Sequence, residues 1–325
     1  MMKHLSIVIS VAVVVCLVAC GCDDCPTCPE VPTETEKHYK VYVVVTDGIE
    51  HGVWLYTLDI PADTIIDSVS LNTNPIQIHA TPSGEKLYMP NIGPYHTVVY
   101  NTSDLSVDTT LDVIGDLFFD ASRNLGILVD GYGVHVFDPD SYEFTGHVQF
   151  ACNYAFECID TINGLVYGSE YDSVIHIIDY VNLEVADSLV IGGVAVSSML
   201  VVPEYDRLYF LSGGAFIYDL IAREVIQVLP QTQPYGNFAR SNDGKFVYKC
   251  DPGRLFSGQY GSNLIWVYSV PDDAVISYYS TIVGGTSVDV AAMAITPDGN
   301  NLLATGSMDL ALLRYDLNTG LATNV

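Results

Sequence analysis

Four cysteines fall between Cys20 and Cys28 in the run CGCDDCPTC, directly behind an apolar segment. Thiols so placed can ligate a metal, form disulfides or carry a covalent lipid. Cys22, Cys25 and Cys28 have C-x-x-C-x-x-C spacing, and three thiolates would need a fourth ligand to complete a tetrahedral zinc site. No Cys or His pair of matching spacing lies nearby, so we read these thiols as part of a solvated tether that oxidises or pairs between chains after export. Further along, Cys152 and Cys158 are separated by six steps of chain. If extended, that stretch covers ~20 Å, against the ~4.4–6.8 Å between Cα atoms that a disulfide allows. No bridge is expected there, and Cys250 is expected to be free.

Ahead of the cysteines, Met1, Met2, Lys3 and His4 form a short cationic start, followed by Leu5 to Ala19 without a charge. That stretch is too short to span a bilayer as a helix, which takes ~20 residues. Its order, cationic then apolar then small, is that of an export signal. Leu17-Val18-Ala19-Cys20 resembles the lipobox of bacterial lipoproteins. The resemblance implies a diacylglycerol on the Cys20 sulfur, cleavage ahead of Cys20 and loss of Cys16 with the signal. It places the protein in a bacterial cell envelope, periplasmic or outer-surface, held to the membrane by lipid. PEVPTETEK continues as linker, so the organisation expected is a signal peptide over 1–19, a lipid-anchored tether over 20–38 and a folded body over 39–325.

Within that body the usual catalytic signatures are missing: no G-x-S-x-G, no H-E-x-x-H, no phosphate-binding loop and no dinucleotide fingerprint. No calcium-loop pattern occurs either, and neither metal nor cofactor is expected. Among the histidines, His135 and His176 lie in strand-like runs that favour a packed, hydrogen-bonded imidazole. His79, in IQIHA, either reaches a channel or sits between packed sheets, and the second position is favoured.

The elements that must position such groups are strands. Short apolar, β-branched runs alternate with Gly, Asp, Asn and Pro clusters, and no stretch sustains helical periodicity. The runs VWLYT, TVVYN, VHVFD, IHIID, AFIYD, IWVYS and LLRYD each end on a small polar residue: Thr57, Asn101, Asp138, Asp179, Asp219, Ser269 and Asp316. A strand precedes each, as in KLYMPN and RLYFLS, and another follows, as in EVADSLVI. Hairpin turns such as TPSGEK and NDGKF supply a further strand. Four antiparallel strands per ~43 residues make one propeller blade, and seven copies predict an all-β, seven-bladed β-propeller. The first repeat shows no innermost strand of its own and the last ends at LATNV, so imperfect closure or one three-stranded blade is expected. Trp54 and Trp266 fall at one place in this alignment, as expected of core packing.

The turns TPSGEKLYMPN, TPDGNNLLATG and YDLNTG resemble those of the YVTN-type propeller family, whose relatives include surface-layer and lactonase-like propellers. The resemblance covers nearly the whole body, but these motifs specify blade turns and carry no chemistry. DASRNLGIL and VVPEYDRLYF depart from the full turn pattern.

Charge narrows the function. Twelve Lys and Arg against 39 Asp and Glu give a formal net charge of −27, which excludes a nucleic-acid partner. Most of these carboxylates sit in turns, where Asp is favoured on conformational grounds and keeps the molecule solvated. Loops between second and third strands, together with those between blades, form the face where propellers carry function. Here that face holds Tyr95, His96, Glu170 and Tyr171, and the long sixth-blade loop from Asp251 to Asn263 adds Arg254, Phe256 and Tyr260. These seven are the candidate binding residues, suited to a partner with an anionic or aromatic group. The function expected is a monomeric, lipid-anchored binding or scaffold module for an envelope protein or small molecule. The alternatives are a lactonase-like hydrolase or isomerase, for which a strongly shifted titratable cluster in the channel would speak, and a structural surface protein.

Overall fold

The computed structural model describes residues 13–15, 39–46, 52–60, 62–73, 75, 77–91, 96–149, 156–169, 174–191, 196–229, 236–250, 263–283, 286–288, 290–306 and 312–324. Seven four-stranded antiparallel sheets follow one another, making a seven-bladed β-propeller. The innermost strands of blades two to seven are His79–Ala80, Asp116–Asp120, Phe156–Asp160, Ser198–Val202, Phe238–Arg240 and Val290–Ile295. Among the described residues the one helical element is a 3-10 turn, Pro203–Tyr205.

Two-sided burial explains why the second strands read as unbroken apolar runs. In Lys86–Asn91, Leu87 and Met89 pack into a cluster with Tyr42 and Leu55 of blade one, whereas Tyr88 packs with Leu117 and Phe137 of blade three. In Arg207–Leu211, Leu208 and Phe210 face blade four while Tyr209 and Leu211 face blade six. Successive side chains on a strand point to opposite faces, so each blade shares one apolar cluster with each neighbour. Every junction has such a cluster, including the one that closes the ring, where Val41, Val43, Leu58 and Ile60 of blade one meet Leu303 and Leu312 of blade seven.

Polar clasps fasten the rims of the same junctions. Tyr88 Oη donates to the Pro139 carbonyl (2.7 Å), Tyr180 Oη to Asp120 Oδ2 (2.8 Å) and Tyr315 Oη to the Ser280 carbonyl (3.0 Å), each crossing from one blade to the next. Arg123 Nη1 reaches the Thr161 carbonyl at 2.7 Å, and Arg240 Nη1 reaches Glu204 Oε2 at the same distance.

The turns account for much of the acidity. Asp138, Asp179, Asp219 and Asp316 each accept two backbone N–H groups through Oδ1 just past the third strand. These bonds hold the Asp138, Asp219 and Asp316 carboxyls below the usual range. A residue at positive φ then completes each turn: Asp63, Leu105, Tyr142, Leu183, Arg223, Asp273 and Gly320.

Three expectations are corrected. The register shift ahead of each turn falls at Val99/Tyr100, Val136/Phe137, Ile177/Ile178, Ile217/Tyr218 and Val267/Tyr268, and in blade one at Thr57/Leu58. Asp59, not Thr57, is therefore the counterpart of Asn101 and Asp138. With that register Tyr56 matches Trp266 and Trp54 does not, so the two tryptophans occupy different places. Trp54 stacks on Tyr56 and Trp266 meets Tyr278 edge-on, both partly buried. Blade one has four strands rather than three, because Val13–Val15 pairs antiparallel with Val41–Val43 in its innermost position.

The departing turns have a physical account. In the hairpins between first and second strands, positive φ falls on Gly84, Asn124, Gly164, Asp206, Gly244 and Gly299. Asn124 and Asp206 replace glycine in blades three and five, which the short Asx side chain tolerates in the left-handed region. Cys158 and Cys250 form no disulfide among the described residues, as expected; both are buried, and burial pushes the Cys158 thiol up. Cys152 lies outside the described residues, as does the whole of Cys20–Cys28.

Candidate functional site: the channel mouth

The innermost strands of blades four, five, six, seven, one and two contact one another in that order around the ring axis. Each begins beside the end of its blade's second strand, with Asp116 opposite Val129 and Phe156 opposite Ser169. The starts of the inner strands therefore share a face with the loops between second and third strands and with the interblade connections.

Of the seven candidate binding residues, His96 is described. It opens the third strand of blade two opposite Asn91, its carbonyl accepts Asn91 Nδ2 at 3.3 Å, and it is partly exposed on that face. Tyr95, Glu170, Tyr171, Arg254, Phe256 and Tyr260 lie outside the described residues.

On the same face the structure brings together four polar side chains from three blades: Gln77 and His79 of blade two, Asp116 of blade three and Glu157 of blade four. His79 Nε2 lies 2.8 Å from Gln77 Oε1, which makes it the donor and leaves Nδ1 as the acceptor nitrogen of a neutral ring. Gln77 Oε1 also accepts the Leu117 N–H at 3.4 Å, while Gln77 Nε2 donates to Asp116 Oδ1. From the other side Glu157 bonds to Asp116. The His79 ring also packs 6.4 Å from that of Phe118, between blades two and three, as favoured from the sequence.

The electrostatics follow from burial. Glu157 is pushed up to about 11, first by desolvation and then by its bond to Asp116 and that group's charge. His79 is pushed down to about 4 by desolvation, which outweighs the attraction of Asp116. At neutral pH Glu157 is thus a neutral acid and His79 a neutral imidazole. Glu157 Oε2 is buried without a hydrogen-bond partner among the described residues. Chemically, Glu157 offers a proton donor and His79 a weak base. Nothing among the described residues groups three or more ligands for a metal ion.

Reading the sequence identified His79 but missed Asp116 and Glu157. A signal existed: Gln77 and Asp116 stand at the same repeat position, four residues before Thr81 and Asp120, which begin the hairpin turns. Two polar residues at one inner-strand position mark a face that does not belong to the apolar junctions.

The fold defines the protein as a seven-bladed β-propeller with a polar, titratable channel mouth. No protein-family model matches the chain, and no curated protein matches it.

Proposed function

We propose that this chain is a lipid-anchored envelope propeller that binds a protein or small-molecule partner on the face around the channel mouth. The observation that carries the reading is the polar set Gln77, His79, Asp116 and Glu157, which faces the loop-bearing side of a ring whose junction cores are apolar. Three blades supply these groups, so the fixed ring holds their relative positions, and prior order lowers the entropic cost of binding. His96 stands on that face; Tyr95, Glu170, Tyr171, Arg254, Phe256 and Tyr260, outside the described residues, complete the candidate set as aromatic and charged contacts in this reading. LVAC ahead of Gly21 supports the anchor at Cys20, and TPSGEKLYMPN and TPDGNNLLATG support a YVTN-type repeat.

Two experiments test this reading. Deleting Leu255 to Gly261 with a Gly-Ser bridge in the full chain should leave thermal unfolding unchanged and lower capture of envelope material about tenfold, or ~1.4 kcal/mol. Unchanged capture would move the site away from that loop. For the anchor, Cys20→Ser should release the protein from the membrane fraction, and a variant that stays there with acyl mass would overturn the lipid assignment.

A second reading, a hydrolase or isomerase of lactonase type, is favoured by the shifted His79 and Glu157. In it Glu157 would donate a proton and His79 accept one. Lactone turnover abolished by both Glu157→Gln and His79→Gln, with the fold intact, would replace the binding reading.

A further inference from the structure

We propose that the innermost position of blade one is a strand-acceptor seat: in the chain cut ahead of Cys20, a partner polypeptide fills it with an extended, uncharged, β-branched segment antiparallel to Tyr39–Thr46. The inference rests on the proposed cleavage.

Three observations carry it. Val13–Val15 occupies the seat in this structure, in the register Val13↔Val43, Val14↔Tyr42 and Val15↔Val41, and touches the innermost strands of blades seven and two. These three residues lie on the signal side of Cys20, so the cut that creates the lipid anchor also vacates the seat. Beneath it, Val41, Tyr42 and Val44 are buried at 0, 1 and 0% exposure, at the core of both junctions of blade one.

An empty seat leaves the N–H and C=O groups along one edge of Tyr39–Thr46 unpaired inside the ring, which is the condition for strand addition. The tether is a poor occupant. Between Cys20 and His38 it carries Pro26, Pro29 and Pro32, which lack the donor a ladder requires, and Asp23, Asp24, Glu30, Glu34 and Glu36, which the apolar surroundings reject. The seat selects instead for a segment like the one it holds, Val-Val-Val.

The test uses the full chain with Cys20→Ser, which keeps the N-terminal segment attached, and a fluorescent peptide of residues 10–15, SVAVVV, flanked by lysines. In one arm Val14→Pro removes a backbone donor and empties the seat. In the other, a protease site replacing Glu34 to Lys37 is cut after folding, so that the segment can exchange without any change in the strand.

The peptide should bind the Val14→Pro chain and exchange into the cut chain, slowing amide exchange across residues 39–46 at least tenfold. It should leave the uncut Cys20→Ser chain unlabelled. Absence of binding in both arms, equal binding to the uncut chain, or equal binding of a peptide with proline at its fifth position would overturn the seat. Should Val14→Pro fail to fold, the cut chain alone decides. The intact mass of the chain carrying Cys20 reports separately on cleavage, so failure of the seat and failure of the lipid anchor are distinguishable.

Discussion

Arg314 of blade seven donates through Nη1 to Asp63 of blade one at 2.6 Å, joining residues 251 positions apart. Asp63 is the positive-φ residue that completes the last turn of blade one. Behind this ion pair lies the apolar contact of Val41, Val43, Leu58 and Ile60 with Leu303 and Leu312. The ring thus closes by side-chain packing between whole blades, and a partly exposed ion pair contributes little beside it. Arg314→Ala and Asp63→Asn should each lower stability in urea by ~1 kcal/mol or less, with a double-mutant coupling of ~0.2–1 kcal/mol. A coupling several times larger would show that the latch, not the apolar contact, closes the ring.

Glu157 gives stability an unusual pH dependence. Its folded pKa, raised to about 11 from 4.5, means that the folded state holds a proton that the unfolded state has lost. The sign follows: this contribution is fully present below about 4.5 and declines as pH rises toward about 11. The slope from one such proton is at most about 1.4 kcal/mol per pH unit. Glu157→Gln preserves the shape and a donor toward Asp116, so its urea midpoint should vary less than the native one between pH 6 and 9. Parallel profiles would mean that Glu157 is ionised in the native ring.

His79 acts at the acidic end. With its folded pKa lowered to about 4 from 6.5, the unfolded state binds the extra proton, and stability falls as pH drops through that interval. The turn carboxylates of Asp138, Asp219 and Asp316, held below their ordinary value, lose their contribution only at lower pH. His79→Gln should therefore flatten the unfolding profile between pH 6.5 and 4 and leave the loss below it. If the variant follows the native curve throughout, the imidazole is not desolvated.

Gly126 marks a tight side-chain contact in blade three. A Cβ there would lie 2.2 Å from the Phe137 ring, which is 1% exposed and held among Tyr88, Phe119 and Phe144. Overpacking of this kind costs ~1–3 kcal/mol. Gly126→Ala should lower the unfolding midpoint accordingly, and Phe137→Leu in the same chain should recover part of the loss by opening space.

Much of the ring was legible because a propeller blade is a local object. Its strands are consecutive, its turns use residues of distinctive conformational preference, and its repeat recurs whether or not the neighbouring blade is known. KLYMPN, RLYFLS and NLLATG could therefore be placed as second strands from pattern alone. Register near the turns was less legible. The register shift that the third strands share falls at Thr57/Leu58 in blade one, and cross-strand pairing alone shows that LYTLD, not VWLYT, is the counterpart of the other runs.

What the amino-acid sequence determined by itself is the set of interactions between residues close in the chain: strand alternation, the Asx-capped turns of Asp138, Asp179, Asp219 and Asp316, and the number of blades. What only the tertiary structure decided lies between blades. Asp116 and Glu157 sit in different repeats, each unremarkable within its own strand, and meet because the ring brings the starts of two inner strands together. Arg314 finds Asp63 for the same reason, since closure is a property of seven blades and of no single one. The seat of Val13–Val15 likewise exists only once the ring has formed, because its walls belong to blades one, two and seven. Chain entropy separates such partners in the unfolded state, and only the summed burial at every junction repays the cost of bringing them together.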